Sequence, residues 1–299
     1  MDQDLLGAEK STNVRAENQR LPWSMRTVRA GFRVLSPTVP GLAARFAEHL
    51  FFSPRRHPRP AWEYEILERG ERLSIDRQGK PPIAAWRWGD GARTVLLVHG
   101  WEGRGAQLGR FIDPLVDAGF RVVAFDAPGH GDSGGSRASP MHIARAIERV
   151  LEVVSGAHGI IAHSMGALGA TLSMSRSPCA RRLVYVAPAI DPQRATRAFS
   201  HALGIDERVR SRMQRRIEAR FSMPMEDLAA TTLAPRIEAP LLVIHDQGDS
   251  EVPWADGRTL VDAWPRSELL TTRGLGHRRI LKERSVIDAS VAFMRRREA

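Results

Sequence analysis

Six short apolar runs recur along the chain, separated by segments with the length and pattern of helices. The runs are nearly continuous in apolar residues, which is typical of strands buried on both faces of a parallel sheet. They are TVLLVHG (94–100), RVVAFD (121–126), GIIAHS (159–164), RLVYVAP (182–188), PLLVIHD (240–246) and ELLTT (268–272). The helical segments lie around 105–118, 140–155, 165–176, 255–264 and 279–297. These repeated βα units predict an α/β fold with a mostly parallel, doubly wound sheet.

Three further strands, expected to be antiparallel, precede the first run around 63–68, 71–76 and 82–87, with a Gln-Gly turn signal at 78–79. The α/β core is therefore expected to span 61–190 and 237–299. Between these parts, 191–236 is rich in arginine and helical in pattern, with no strand-like run. We interpret this interruption of the sheet as a helical cap.

Residues 1–60 are predicted to be an N-terminal amphipathic extension of two short helices, separated by Pro37 and Pro40. The apolar residues that share a helical face are Met25, Val28, Phe32 and Leu35, then Val39, Leu42, Phe46 and Leu50. These helices either pack on the main domain or bind a membrane surface weakly, because basic amphipathic helices bind anionic interfaces.

The formal net charge is +10, and the segments 1–60 and 194–220 each carry a net +5. This excess either reflects genome composition or serves a partner. We expect no nucleic-acid partner, because basic residues interleaved with aromatics and a recognisable reader motif are both missing. The chain has one cysteine, Cys179, a polar start and no run of about 18 apolar residues. It is expected to be cytoplasmic, or peripheral at the inner membrane surface, with an oligomeric state that the sequence leaves open.

The strongest local signal is the pentapeptide from Ala162 to Gly166, which lies between an apolar strand and a helical segment. A nucleophilic serine at a sharp strand-to-helix turn needs small residues two positions away on each side, because bulk there would clash. Ser164 therefore becomes the candidate nucleophile.

An oxyanion formed during acyl transfer needs two backbone N–H donors. We expect one from Met165, directly after the serine, and one from Trp101, in the loop after the first parallel strand. His99, in the same loop, is interpreted as a structural histidine that holds the loop in place.

A carboxylate and a histidine must complete the site in that chain order. Asp249 follows the strand that ends at 246, and the carboxyl ends of strands are where ligands bind in open α/β sheets. His277 follows the next strand, in the glycine-flanked sequence GLGH.

Over 61–297 these motifs resemble the α/β-hydrolase fold superfamily, and in particular its esterase- and lipase-like members with a serine nucleophile. HGW resembles the oxyanion loop of the family, and DAPGHGDSGG (126–135) resembles the family segment that follows the next strand. AHSMG resembles the nucleophile elbow. DQGDSEVP resembles the motif that carries the acid, and GLGH resembles the loop that carries the histidine. The chain departs from the pattern at Ala162, where glycine is usual, and at Asp246, where the acid motif often has glycine. Asp246 therefore stays a rival for the acid, and Asp191 a more distant one.

The resemblance implies a catalytic triad of Ser164, Asp249 and His277 that cleaves carboxylic esters through an acyl-enzyme. The expected partner is a small acyl ester, and no metal or organic cofactor is required. A serine at the elbow argues against epoxide hydrolases and haloalkane dehalogenases, which use aspartate there. Other acyl hydrolases or transferases of the fold remain alternatives (thioesterase, peptidase, C–C hydrolase, acyltransferase, perhydrolase), as does a binding protein without catalysis.

Within the cap, Ile205, Val209, Met213 and Ile217 step by four and predict an amphipathic helix, expected to overhang Ser164. Eight arginines lie in 194–220. They either form a solvated face or attract an anionic substrate or membrane surface.

Overall fold

The computed structural model describes residues 23–77 and 79–296, which contain an eight-stranded sheet. Its order is β1-β2-β4-β3-β5-β6-β7-β8. The strands are β1 (Glu71–Ile75), β2 (Ile83–Trp88), β3 (Arg93–Val98), β4 (Phe120–Phe125), β5 (Ala157–His163), β6 (Ala180–Val186), β7 (Leu241–Asp246) and β8 (Ser267–Thr272). Strands β1, β2 and β4 pair antiparallel, and every other pairing is parallel. The predicted fold class, α/β with a mostly parallel sheet, is confirmed.

Helices connect the parallel strands, as the alternation predicts. In the region of the sheet they are α3 (Ala61–Glu68), α4 (Ile112–Asp117), α5 (Pro140–Val153), α6 (Met165–Arg176), α9 (Ala230–Leu233), α10 (Trp254–Ala263), α11 (Gly276–Arg279) and α12 (Arg284–Arg295), with 3-10 turns at Gly105–Phe111, Met225–Leu228, Ala234–Arg236 and Ile280–Lys282. Ser139 caps the first turn of α5, where its hydroxyl accepts from the backbone N–H of His142. The central strands are buried along nearly their whole length, which explains their continuous apolar sequence.

One of the predicted strands is wrong: 63–68 belongs to helix α3. Pro60 occupies the N-cap position with extended backbone and is followed by a helical turn. Trp62 and Ile66, four residues apart, lie on the same helical face and join the core, and Leu67 beside Ile66 is also buried. A strand would have directed Ile66 and Leu67 to opposite faces of the sheet.

The contacts divide the chain into two compact units, and the larger one, described at 52–77, 79–192 and 224–296, contains the whole sheet. The smaller unit, described at 23–51 and 193–223, is helical. It comprises α1 (Trp23–Thr38), α2 (Pro40–Phe51), α7 (Pro192–Leu203, which starts one residue earlier) and α8 (Glu207–Phe221). It therefore joins the predicted N-terminal helices to the two long helices of the predicted cap.

Helix α8 is amphipathic, as its four-residue spacing predicts. Val209, Met213 and Ile217 are buried on one side, and the Asp206 carboxylate accepts a hydrogen bond from the Val209 N–H at the N-terminus. Buried Glu48 of α2 binds Arg216 and Arg220 of α8, each at 2.7 Å. Across the described residues, no helix combines the length and the apolar character needed to span a bilayer.

Candidate active site

Ser164 occupies a sharp turn between β5 and α6. Its backbone φ of 53° and ψ of −123° are values that a residue with a side chain rarely adopts. Gly166 allows the turn, because a Cβ there would lie 2.5 Å from the carbonyl oxygen of His99. Ala162 is fully buried in β5, paired with Val98 and Tyr185, so the strand accommodates its methyl group. Strained backbone of this kind is often found at functional sites.

Ser164, His277 and Asp249 are linked by a continuous chain of hydrogen bonds. His277 Nε2 lies 3.0 Å from Ser164 Oγ, and His277 Nδ1 lies 2.7 Å from Asp249 Oδ2. All three residues are at least nine-tenths buried. They follow β5, β8 and β7, at the carboxyl edge of the sheet. Because a carboxylate only accepts, it fixes the proton on Nδ1 and leaves Nε2 free to accept the serine proton.

The Asp249 carboxylate receives donors on both oxygens. Oδ1 accepts from the backbone N–H groups of Glu251 at 2.8 Å and Val252 at 2.9 Å. His245 Nε2 carries one proton, which it shares between the Val252 carbonyl oxygen at 3.1 Å and Oδ2 at 3.3 Å, the oxygen that also bonds His277. Burial by itself would raise the pKa of Asp249, but the hydrogen bonds from His245, His277 and Val252 outweigh it and hold this pKa well below its usual value.

Asp246, the rival acid, holds two loops together. Its carboxylate accepts from the backbone N–H of Gly248 at 2.9 Å, the hydroxyl of Thr272 at 2.8 Å and the backbone N–H of Leu275 at 3.0 Å. These donors outweigh the effect of burial and lower the pKa of Asp246. The loop that carries Asp249 is thereby fixed to the loop that carries His277. Of the carboxylates of Asp249, Asp246 and Asp191, it is that of Asp249 that bonds His277 Nδ1.

His99 and His130 hold the loops beside the serine. His99 Nδ1 donates to the Gly100 carbonyl at 2.7 Å, and its Nε2 accepts from the Ala127 N–H at 2.8 Å. His130 Nε2 accepts from the Glu102 N–H at 3.1 Å. Burial lowers the pKa of His99 to about 4 and that of His130 to about 3, so both rings are neutral. The structural interpretation of His99 therefore agrees with its contacts.

The two predicted oxyanion donors belong to segments that adjoin the serine. Met165 is the first residue of α6, where backbone N–H groups have no acceptor within the helix. Trp101 follows Gly100, and a Cβ at Gly100 would lie 2.9 Å from the Ser164 Cβ. The loop that carries Trp101 therefore passes directly against the serine.

Two histidines beside the site were missed by the sequence interpretation. His163 Nε2 donates to the His277 carbonyl at 3.0 Å, and the two ring centroids are 4.7 Å apart. Burial lowers the pKa of His163 to about 3, so this ring is neutral as well. His245 contacts Asp249, as described above. Each directly precedes a residue that the motifs had marked, Ser164 and Asp246, and that adjacency was the available signal.

A family model described as serine aminopeptidase, S33, matches residues 90–227. The pimeloyl-[acyl-carrier protein] methyl ester esterase of Edwardsiella ictaluri is 39% identical over 83 residues, which cover 28% of this chain and 31% of that protein. The 2-hydroxy-6-oxononadienedioate/2-hydroxy-6-oxononatrienedioate hydrolase of Klebsiella pneumoniae subsp. pneumoniae is 44% identical over 66 residues, 20% of this chain and 23% of that protein. The chain thus spans less than a third of the length of these curated relatives.

Among solved structures, an esterase of Pyrococcus furiosus superposes with a TM-score of 0.62 and 20% identity. The match covers 81% of this chain and 98% of the esterase. At this identity the likeness concerns the fold, whose carboxyl edge carries Ser164, Asp249 and His277 in the present chain.

Proposed function

Because the chain belongs to the α/β-hydrolase superfamily, we propose that it is a serine hydrolase that cleaves carboxylic esters through an acyl-enzyme. The observation that carries the proposal is the relay from Asp249 through His277 to Ser164, with spacings of 2.7 and 3.0 Å. Both distances suit proton transfer and orientation without rearrangement of the site.

In the proposed first half-reaction, Ser164 Oγ attacks the acyl carbonyl while His277 Nε2 takes the hydroxyl proton. Asp249 keeps the imidazole in the required tautomer and stabilises the imidazolium that forms. The backbone N–H groups of Trp101 and Met165 stabilise the oxyanion. His277 then protonates the departing alcohol, and the acyl group remains on Ser164. In the second half-reaction, a water molecule gives a proton to His277 Nε2 while its oxygen attacks the acyl carbon. The bond from that carbon to Ser164 Oγ then breaks, His277 returns the proton to Oγ, and the acid is released.

A second candidate is cleavage of a carbon–carbon bond next to a carbonyl group. It is favoured by the local match to the Klebsiella pneumoniae hydrolase, which is named for 2-hydroxy-6-oxo diacid substrates. The same relay would serve either reaction, so the two candidates differ in substrate rather than in the residues that react.

The test is hydrolysis of a series of p-nitrophenyl acyl esters by the wild-type chain and by Ser164→Ala. The substitution should lower kcat by about a thousandfold or more, because it removes the nucleophile. The matched control is Ser173→Ala, a buried serine on the same helix α6 whose hydroxyl lies 3.4 Å from the Cys179 thiol. It should retain nearly full activity.

Equal thermal midpoints would show that Ser164→Ala is folded. A folded Ser164→Ala that kept more than about a hundredth of the wild-type kcat would refute the proposed nucleophile. Turnover of a 2-hydroxy-6-oxo dienoate, with every ester left intact, would transfer the activity to the second candidate.

A further inference from the structure

The small helical unit exposes an unusual number of large apolar side chains. Val34 is 67% exposed, Val39 42%, Leu42 56% and Phe46 41%. They are four of the six exposed large apolar residues found across the described residues, and they fall within a stretch of thirteen. We call these four residues the apolar stripe. Clustering of this kind marks an interaction surface, whereas single exposed apolar residues are ordinary.

Helix α2 directs two of its four larger apolar residues outward, Leu42 and Phe46. Its buried face consists of Ala43, Ala44 and Ala47, and α2 packs against α8. The two stripe residues of α2, Leu42 and Phe46, lie four positions apart, so they share the opposite face. The Phe46 ring also rests on the buried Phe32 ring of α1, with centroids 5.6 Å apart. A helix that only needed to complete a core would bury its larger side chains instead.

The two helices that carry the stripe expose arginines and no acid. Helices α1 and α2 contain four arginines and one acid, Glu48, which is buried and neutralised by α8. Arg26, Arg33 and Arg45 are exposed. Over 23–51 and 193–223 there are twelve arginines and four acids, a net charge of +8, whereas the entire chain carries +10. Most of the positive charge of the protein therefore belongs to the unit that carries the stripe.

We propose that the apolar stripe, flanked by Arg26, Arg33 and Arg45, docks the protein on an anionic lipid bilayer. Apolar side chains on helices that lie flat can enter the boundary between headgroups and acyl chains, while neighbouring arginines remain at the level of the phosphates. The arginine stems are apolar and their guanidinium groups are charged, which suits this position. The surface lies wholly in the small unit, so its test is independent of the chemistry at Ser164.

Charge complementarity selects this occupant over the alternatives. A second copy of the chain would bring two units of +8 together, which is unfavourable at low ionic strength. Nucleic acid would match the charge, but sequence-tolerant binding of single strands depends on stacked rings, and the stripe has only Phe46 as an aromatic residue.

The experiment is co-sedimentation of the full chain with vesicles of phosphatidylcholine alone, or with about 30 mol% phosphatidylglycerol. The protein should bind the phosphatidylglycerol vesicles and leave the neutral ones largely unbound. Added salt should weaken the binding, because it screens the arginines.

Two double variants separate the apolar and the charged contributions. Leu42→Gln with Phe46→Gln should lower the apparent affinity at least about tenfold while leaving the charge unchanged. Arg33→Gln with Arg45→Gln should lower it about thirtyfold. The matched controls lie in the larger unit. For the apolar variant the control is Val153→Gln, which replaces a 49% exposed valine. For the arginine variant it is Arg258→Gln with Arg284→Gln, which replaces two exposed arginines. Both controls should bind almost as the wild type does.

Loss of binding in the stripe variant, with an unchanged urea midpoint and circular dichroism, would support the proposal. Wild-type protein that stays in the supernatant with phosphatidylglycerol vesicles would overturn it. Binding that the stripe variant retains in full would also overturn it, because attraction by charge alone would then be sufficient. A dimer that becomes monomeric in the stripe variant, without vesicle binding, would assign the surface to a second copy of the chain.

Discussion

Replacing Asp249 by asparagine should abolish turnover through the proton position on His277 rather than through loss of the fold. Oδ1 of Asp249 accepts from two backbone N–H groups, those of Glu251 and Val252. The asparagine carbonyl will keep this position, because its NH₂ group there would face two donors. The NH₂ group must then occupy the Oδ2 position, 2.7 Å from His277 Nδ1 in the native site, while His245 Nε2 keeps the Val252 carbonyl as its acceptor at 3.1 Å.

The consequence is a change of tautomer. An NH₂ group donates, so Nδ1 of His277 must become the acceptor and the ring proton moves to Nε2. Nε2 then faces Ser164 Oγ with a proton and cannot take another. Turning the amide to restore the productive tautomer would leave two backbone donors unpaired, at about 2 kcal/mol each. The two unpaired donors alone correspond to about a thousandfold fall in kcat. The lost stabilisation of the imidazolium brings the expected fall in kcat to about 10⁴.

The matched control is Asp246→Asn, on the same loop. It weakens the contacts to Gly248, Thr272 and Leu275, so it should lower the free energy of unfolding by about 1–3 kcal/mol with a smaller effect on kcat. The assay is kcat on a p-nitrophenyl ester together with urea denaturation of both variants. If Asp246→Asn lost more than a hundredfold in kcat while Asp249→Asn kept a tenth of it, the roles given to the two aspartates would be reversed.

The free energy of unfolding should fall by about 2 kcal/mol per buried histidine between pH 7 and pH 5. In the folded protein the pKa values of His99, His130 and His163 are about 4, 3 and 3, below the value near 6.5 of an unfolded chain. The unfolded chain therefore takes up protons first as the pH falls. Gly166→Ala should cost about 1–3 kcal/mol and lower kcat, since its Cβ would press on the carbonyl oxygens of Val98 and His99 at the end of β3. His245→Phe should lower kcat about tenfold by removing a donor that Asp249 shares with the Val252 carbonyl. His245→Gln, whose amide can donate there, should retain more activity.

Each of these has a result that would count against it. A free energy of unfolding that stays level from pH 7 to pH 5 in urea titrations would mean that the three rings are not held neutral. For Gly166, the control is Gly41→Ala, a helical glycine with open space around it, which should leave stability unchanged or slightly raised. Equal costs for the two substitutions would refute the steric argument. For His245, unchanged kcat in the phenylalanine variant would remove its positioning role.

The sequence predicts the parallel part of the sheet well because strands that are buried on both faces consist almost entirely of apolar residues. Each of the six apolar runs coincides with a strand to within one or two residues. The arrangement of Ser164, Asp249 and His277 could also be anticipated, because carboxyl ends of parallel strands meet at one edge of the sheet. Motif spacing chose Asp249 over Asp246, and the same pairing appears in the hydrogen bonds.

Prediction failed where local pattern competed with tertiary packing. At 63–68, alternating charged and apolar residues suggested a strand, but Trp62 and Ile66 satisfy the core from one helical face. For α2 the sequence left open whether the larger apolar residues pack on the main domain or meet a membrane surface; in the structure the alanines are buried and Leu42 and Phe46 are exposed. His163 contacts His277, more than a hundred positions away, and His245 contacts Asp249 across a turn. The periodicity of the sequence predicts neither contact. The predicted role of 191–236 as a lid over Ser164 stays a prediction.

The most direct test of the proposed relay is covalent labelling by a fluorophosphonate, followed by intact-mass measurement and peptide mapping. The proposed mechanism predicts one adduct per chain, located on Ser164, at a rate that Asp249→Asn reduces sharply because His277 can no longer accept the serine proton. Ser164→Ala should take up no label, and Ser173→Ala should react as the wild type does. An unlabelled wild-type chain, or an adduct on another serine that persists in Ser164→Ala, would contradict the assignment of Ser164 as the nucleophile.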